Sequence, residues 1–194
     1  MFSPSYKRYV LTMMTLVTVL SLLDSGLIGL LLQPIKEDLH LSDTQLGLLT
    51  GIVFGLFYAT LGLPMARWAD RGNRSTIAAL SLAVWAAAVM LCLFVTSFFQ
   101  LMLTRIGAAV GDAGVKPPAY SLLGDYFPDA TERTRAMAIY WSAGPMAALI
   151  SFVAGGWLNE MYGWRWTLFL AGLPGLVAAI VVKLTVTEPR LPRF

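Results

Sequence analysis

Residues 103–127, LTRIGAAVGDAGVKPPAYSLLGDYF, set Arg105, Asp112 and Lys116 inside one apolar run. A charge at the centre of a bilayer costs about 2.5–3.5 kcal/mol on insertion scales, so a membrane helix bearing three of them needs a polar interior to face. Whether this stretch is such a helix decides the fold. The composition around it answers. Of 194 residues, 57% are hydrophobic and 13% charged, where an average soluble domain carries about 25% charged residues. Mean hydropathy is +0.69. These values define an all-α integral membrane protein whose first partner is the lipid bilayer.

The formal charge of +3 does not point to nucleic acid. The basic residues fall in short loops between apolar runs, with no Lys/Arg face interleaved with aromatics, and cytoplasmic membrane loops account for them. Cys92 stands alone in an apolar run, and the single histidine, His40, stands in a loop. No disulfide framework, metal site or cofactor is expected from them. An enzyme is set aside on the same residues: H-E-x-x-H is absent, and no membrane His is present to serve a Ser nucleophile. A few buried charges do not make the ring of a channel filter either. The apolar run after Lys7 and Arg8 exceeds the about 7–15 residues of a signal-peptide core and lacks a small-x-small cleavage site. It reads as a retained first helix.

About 20 apolar residues cross a bilayer, and six segments qualify: 9–33, 44–66, 75–96, 98–120, 135–158 and 165–187. Residues 1–187 thus form one six-helix transmembrane domain, and the Pro-rich, charged 188–194 begin a linker. Ser42 with Gln45 three residues later predicts a capped start for the second span. A tight hairpin at SFF separates the third and fourth. Lys7, Arg8, Arg67, Arg71, Arg74, Arg133, Arg135, Lys183, Arg190 and Arg193 fall at one set of span ends, and only Lys36 and Arg165 at the other. By the positive-inside rule both termini face the cytoplasm, in a cell inner or plasma membrane. Tyr6, Tyr9, Trp68, Tyr162, Trp164 and Trp166 near span ends suit an aromatic belt.

Asp24 lies mid-span in the first helix. On the fourth, Arg105, Asp112 and Lys116 follow spacings of seven and four and share one stripe at about 100° per residue. Asp112 and Lys116 can pair within the helix. Arg105 has no acid three or four residues away, and Asp24 is the remaining carboxylate at mid-membrane depth. An Asp24–Arg105 interaction across the first and fourth helices follows. A carboxylate moving between apolar surroundings and an Arg partner would take up and release a proton, which makes Asp24 a candidate proton-coupling group. Gly107 and Gly111 form a small-xxx-small packing face, as do Gly51, Gly55 and Ala59 on the second span. Pro117 and Pro118 break the helical ladder, tolerated in a membrane only where protein or water meets the freed carbonyls. Pro145 and Pro174 predict ordinary kinks.

MARWADRGNRST, between the second and third spans, resembles the signature loop of the major facilitator superfamily, with Asp70, Arg71 and Arg74 matching. QPIKEDLHLSDTQLGLLTG, RIGAAVGDAG, PAYSLLGDYFP and YGWRW resemble the spinster-like branch and together run along nearly the whole chain. The resemblance implies the N-terminal half of a major facilitator fold, a 3+3 inverted repeat, with a C-terminal six-helix half expected after the linker. It places Asp24, Arg105 and Asp112 at the cavity positions this branch uses for coupling or substrate. That implies Asp112 as a second candidate proton-coupling group and Arg105, with Lys116 and Tyr120 beside it, as substrate-binding candidates. This chain departs from the branch where Asp24-Ser25 replaces an Asp-Arg pair and where Lys116 replaces a small neutral residue. Asp70, Arg71 and Arg74 are expected to form a charge clasp at the cytoplasmic gate.

The function this implies is secondary active transport by alternating access, coupled to protons. The cargo expected is a small organic or amphipathic, lysolipid-like anion. The alternative is a non-transporting six-helix scaffold, or a truncated fragment working through a partner. Neutralising Asp24 and Arg105 together would leave a scaffold's function intact.

Overall fold

The computed structural model describes residues 2–190. Arg193 and the rest of the expected linker beyond residue 190 lie outside them. Helix α1 spans Pro4–Leu39. Ser3 starts it, its side chain accepting from the Tyr6 amide, and His40 ends it in the left-handed region at φ 51°. Hydropathy marks only the part inside hydrocarbon, so the helix outruns the predicted 9–33 at both ends.

The second span begins with the predicted capping box of Ser42 and Gln45 on α2, Asp43–Gly47. A π-helical turn, Leu48–Val53, then leads into α3, Phe54–Arg71. Helix α4, Arg74–Leu91, is capped by Asn73 and closes through a 3₁₀ turn, Cys92–Phe94. Ser97 caps α5, Phe98–Ala113, and α6 follows at Lys116–Tyr126. The break between them falls at Gly114–Val115, ahead of the proline pair. Prolines at residues 117 and 118 have no amide to offer the carbonyls of Ala113 and Gly114, so the ladder stops there and restarts with both prolines in the first turn of α6, where no amide is needed.

Asp129 caps α7, Ala130–Trp141, and Ser142 separates it from α8, Ala143–Thr185. Pro145 sits in the first turn of α8, so the irregularity predicted there falls at Ser142 instead. Gly163 interrupts α8 at φ 79°, ψ 169°, and contacts on either side show that the chain doubles back. Glu132 reaches Lys7 at 3.5 Å, Ser151 donates to the Leu23 carbonyl at 3.0 Å and Arg165 meets Asp38 at 2.6 Å, following α1 to its end. The Tyr6 hydroxyl then meets the Thr185 carbonyl at 2.8 Å, back at the start of α1. Positive φ favours glycine, and one residue makes the hairpin.

Four helical stretches, 4–39, 43–71, 74–94 and 130–185, are long and apolar enough to cross a membrane. The last supplies two passes. The stretch 98–126 is broken at Gly114–Val115 and carries charges, yet it packs as a pass of the bundle, giving six among the described residues. Helix α1 packs chiefly on α8, α4 on α8 and α5, and α3 on α5. The α4–α5 contact depends on absent side chains: a Cβ on Gly111 would sit 2.4 Å from the Trp85 amide nitrogen, and one on Gly107 3.0 Å from the Ala88 Cβ. Gly51, Gly55 and Ala59 do not pack as predicted. All three are exposed, and a Cβ on either glycine meets nothing within 4 Å, because α3 turns that stripe away from the bundle. Trp164 also departs from the belt role: it is buried, with the Arg165 guanidinium 4.4 Å over its ring, whereas Trp68, Tyr162 and Trp166 are exposed.

Candidate functional site

Two ion pairs occupy the membrane interior. In the first, Arg105 donates through Nη1 to Asp24 Oδ1 at 2.9 Å and through Nη2 to Asp24 Oδ2 at 2.6 Å. This is the cross-helix pair expected from the sequence, in the two-pronged geometry that suits guanidinium and carboxylate. Both residues are buried. The Arg105 guanidinium lies 6.0 Å over the Phe54 ring, while its Nε is buried without an acceptor. A cavity of 160 Å³ opens on the pair, with Ser25, Leu49, Thr50 and Phe54 in its wall. The π-helical turn brings Leu49 and Thr50 there; widened turns of this kind recur at functional sites.

The second pair lies about 10 Å further along the fourth span at 1.5 Å per residue. Lys116 Nζ is 3.4 Å from Asp112 Oδ2 and donates to the Tyr58 hydroxyl at 3.1 Å. The same ammonium lies 5.0 Å over the Tyr58 ring, and Tyr58 stacks on Phe54 at 6.1 Å. Asp112 Oδ1 is buried without a hydrogen bond of good geometry; the Ser21 hydroxyl of α1 lies beside this carboxylate and also donates to the Thr18 carbonyl at 3.3 Å. Tyr120 is edge-on to Tyr140 at 5.1 Å, and the Tyr140 hydroxyl accepts from Thr18 at 2.8 Å. Asp24, Arg105 and Asp112 thus lie on the facing sides of the first and fourth spans, whereas Lys116 turns to Tyr58 and Tyr120 to Tyr140 and Trp141 of α7. Tyr58 and Phe54 join them from the second, and no spacing in the sequence announces these two: a half-buried aromatic on an apolar helix is ordinary packing.

The expected clasp is built differently. Arg74 is fully buried, with its guanidinium and backbone amide both donating to the Glu188 carboxylate. It also donates to Ser121 at 2.9 Å and pairs with Asp125 at 2.8 Å. Arg190 closes the group by donating to Asp125 at 2.7 Å. Burial pushes the Glu188 carboxyl up, but hydrogen bonds from the Arg74 side chain and backbone outweigh it and hold it below the usual carboxylate range. Asp70 and Arg71 are exposed and make no ion pair among the described residues. Of the three motif residues only Arg74 clasps within this bundle. Its partners come from α6 and from the segment after α8, where a linker is expected. At the opposite end Arg165 ties Asp38 to the Val95 carbonyl, at 2.6 and 2.8 Å.

A six-pass bundle whose first and fourth passes meet through buried charges belongs to a known class of membrane protein. Residues 14–194 match the Major Facilitator Superfamily, and the chain belongs to it. It is 38% identical over 173 residues to an MFS-type efflux pump of Mycolicibacterium smegmatis, covering 89% of this chain and 40% of that protein. It is 30% identical over 190 residues to protein spinster homolog 1 of Xenopus tropicalis, covering 95% of this chain and 36% of that one. Among solved structures it superposes with a TM-score of 0.90 and 35% identity on a bacterial homolog of the human lysosomal transporter Spinster in an inward-facing, occupied conformation. That match covers 99% of this chain and 46% of the other. The spinster-like resemblance read from the motifs is thus carried by whole-chain similarity. The chain spans less than half the length of each of these proteins.

Proposed function

We propose that this bundle is the N-terminal half of a secondary active transporter, coupled to protons, that moves a small organic or amphipathic anion by alternating access. Both termini face the cytoplasm, and a second six-helix half completes the path. The observation that carries the reading is the buried Asp24–Arg105 pair opening on a cavity. A pair with no route to water would be a poor stabiliser, since an apolar pair of similar size commonly does as well. One beside a cavity can exchange partners.

In this mechanism ionised Asp24 holds Arg105 and favours one access state. Protonation of Asp24 frees Arg105 for the anionic group of the cargo, and the half rocks against its partner. Asp112 and Lys116 form a second exchangeable pair in the same path, with Tyr120 beside it. The bacterial efflux pump and the spinster homologues are the relatives that support a transport role. The test is counterflow and proton-driven uptake in proteoliposomes holding both halves. Asp24→Asn is expected to abolish proton-driven accumulation while retaining exchange. Proton-driven accumulation at the wild-type rate would remove Asp24 from coupling.

A further inference from the structure

A second cavity, of 650 Å³, lies at the end of the bundle where α1 and α7 begin. Asp24 is about 25 Å further along α1, so this space is separate from the ion-pair site. Its rim carries Lys7, Arg8, Arg135 and Glu132, and its floor includes Leu11 and Phe127. Glu132 is engaged by Lys7 at 3.5 Å. Lys7 also lies 5.7 Å from the centre of the Phe127 ring. Arg8 and Arg135 have no ion-pair or side-chain hydrogen-bond partner among the described residues. Both are exposed, and the rim keeps a net positive charge.

We propose that this cavity binds one anionic diacyl phospholipid of the bilayer, its phosphate between Arg8 and Arg135 and its upper chains along the apolar floor. Three observations select that occupant. Two unpartnered guanidinium groups face one space, and they suit phosphate oxygens. The floor is apolar, which a free inorganic anion would leave uncovered. The cavity also sits at the level of Tyr6 and Tyr9, near the start of the first span, where headgroups lie and where basic pockets between helices recruit anionic lipids. Its volume is within the about 300–1,000 Å³ of sites for small ligands.

The test counts lipid retained by the purified protein, using native mass spectrometry after exchange from nanodiscs of phosphatidylcholine with graded phosphatidylglycerol. Wild type is expected to hold one phosphatidylglycerol in preference to phosphatidylcholine. Arg8→Gln with Arg135→Gln is expected to weaken that retention roughly tenfold or more. Glu132→Gln, which frees Lys7, is expected to strengthen it, a gain that misfolding cannot imitate. Arg133→Gln removes the same charge from α7 outside the cavity and is expected to change nothing. Wild-type retention in the double variant overturns the site, as does an equal loss in Arg133→Gln or a loss in Glu132→Gln. Displacement of the lipid by millimolar inorganic phosphate would reassign the cavity to a free anion and overturn the lipid.

Discussion

The two intramembrane ion pairs differ in everything except charge. Asp24 and Arg105 come from different helices, meet through two short bonds and are buried together. Asp112 and Lys116 stand one helical turn apart in sequence and meet through one long contact, and Lys116, its side chain 24% exposed, also donates to Tyr58. The first pair holds two helices together, and losing either member strands the other in a low-dielectric interior. The second is the looser of the two, since Lys116 has a second partner ready in Tyr58. Depth in the membrane alone does not say how firmly a charge is held; the number and origin of its partners do.

Arg105→Leu is the strongest way to break this contrast. It strands Asp24, and a loss of about 3–5 kcal/mol is expected, read as a large fall in thermal stability in detergent. Adding Asp24→Leu should restore most of it, because two apolar side chains leave no buried charge. Gly111→Ala comes next. Its Cβ would overlap the Trp85 backbone, and overpacking of this kind costs about 1–3 kcal/mol; Gly55→Ala, facing open space, is the matched control and should be neutral or slightly stabilising. Lys116→Gln is expected to have the smallest effect, about 1 kcal/mol, because glutamine can still donate a hydrogen bond towards the buried Asp112 carboxylate. A loss as large as that of Arg105→Leu would erase the distinction between the two sites.

Much of this arrangement is legible in the sequence because hydrocarbon penalises unpaired charge so heavily. An Arg with no acid a turn away must find one on another helix, and Asp24 was the carboxylate left at that depth. The capping box at Ser42 and the packing of Gly107 and Gly111 follow from similarly local rules. Other features rest on tertiary placement. Glu188 reads as part of a charged linker until the segment after α8 folds back to meet Arg74. The exposed stripe of Gly51, Gly55 and Ala59 has the same pattern as the buried one on α5, since small residues at a spacing of four permit close approach without naming a partner. The one-residue reversal at Gly163 was hidden inside a run read as the end of one helix and a short loop.

The break at Gly114–Val115 also has a mechanical side. Asp112 belongs to α5 and Lys116 is the first residue of α6, so their contact bridges the joint like a latch across a hinge. Helix α6 has 11 residues, about 16 Å of lever at 1.5 Å per residue. A tilt of about 10° at the joint would carry its far end through about 3 Å. Ser121 at the middle of α6 and Asp125 one residue before its end hold Arg74. Opening the latch would therefore pull on the clasp at the bundle's edge, with α5 as the arm on the other side of the joint.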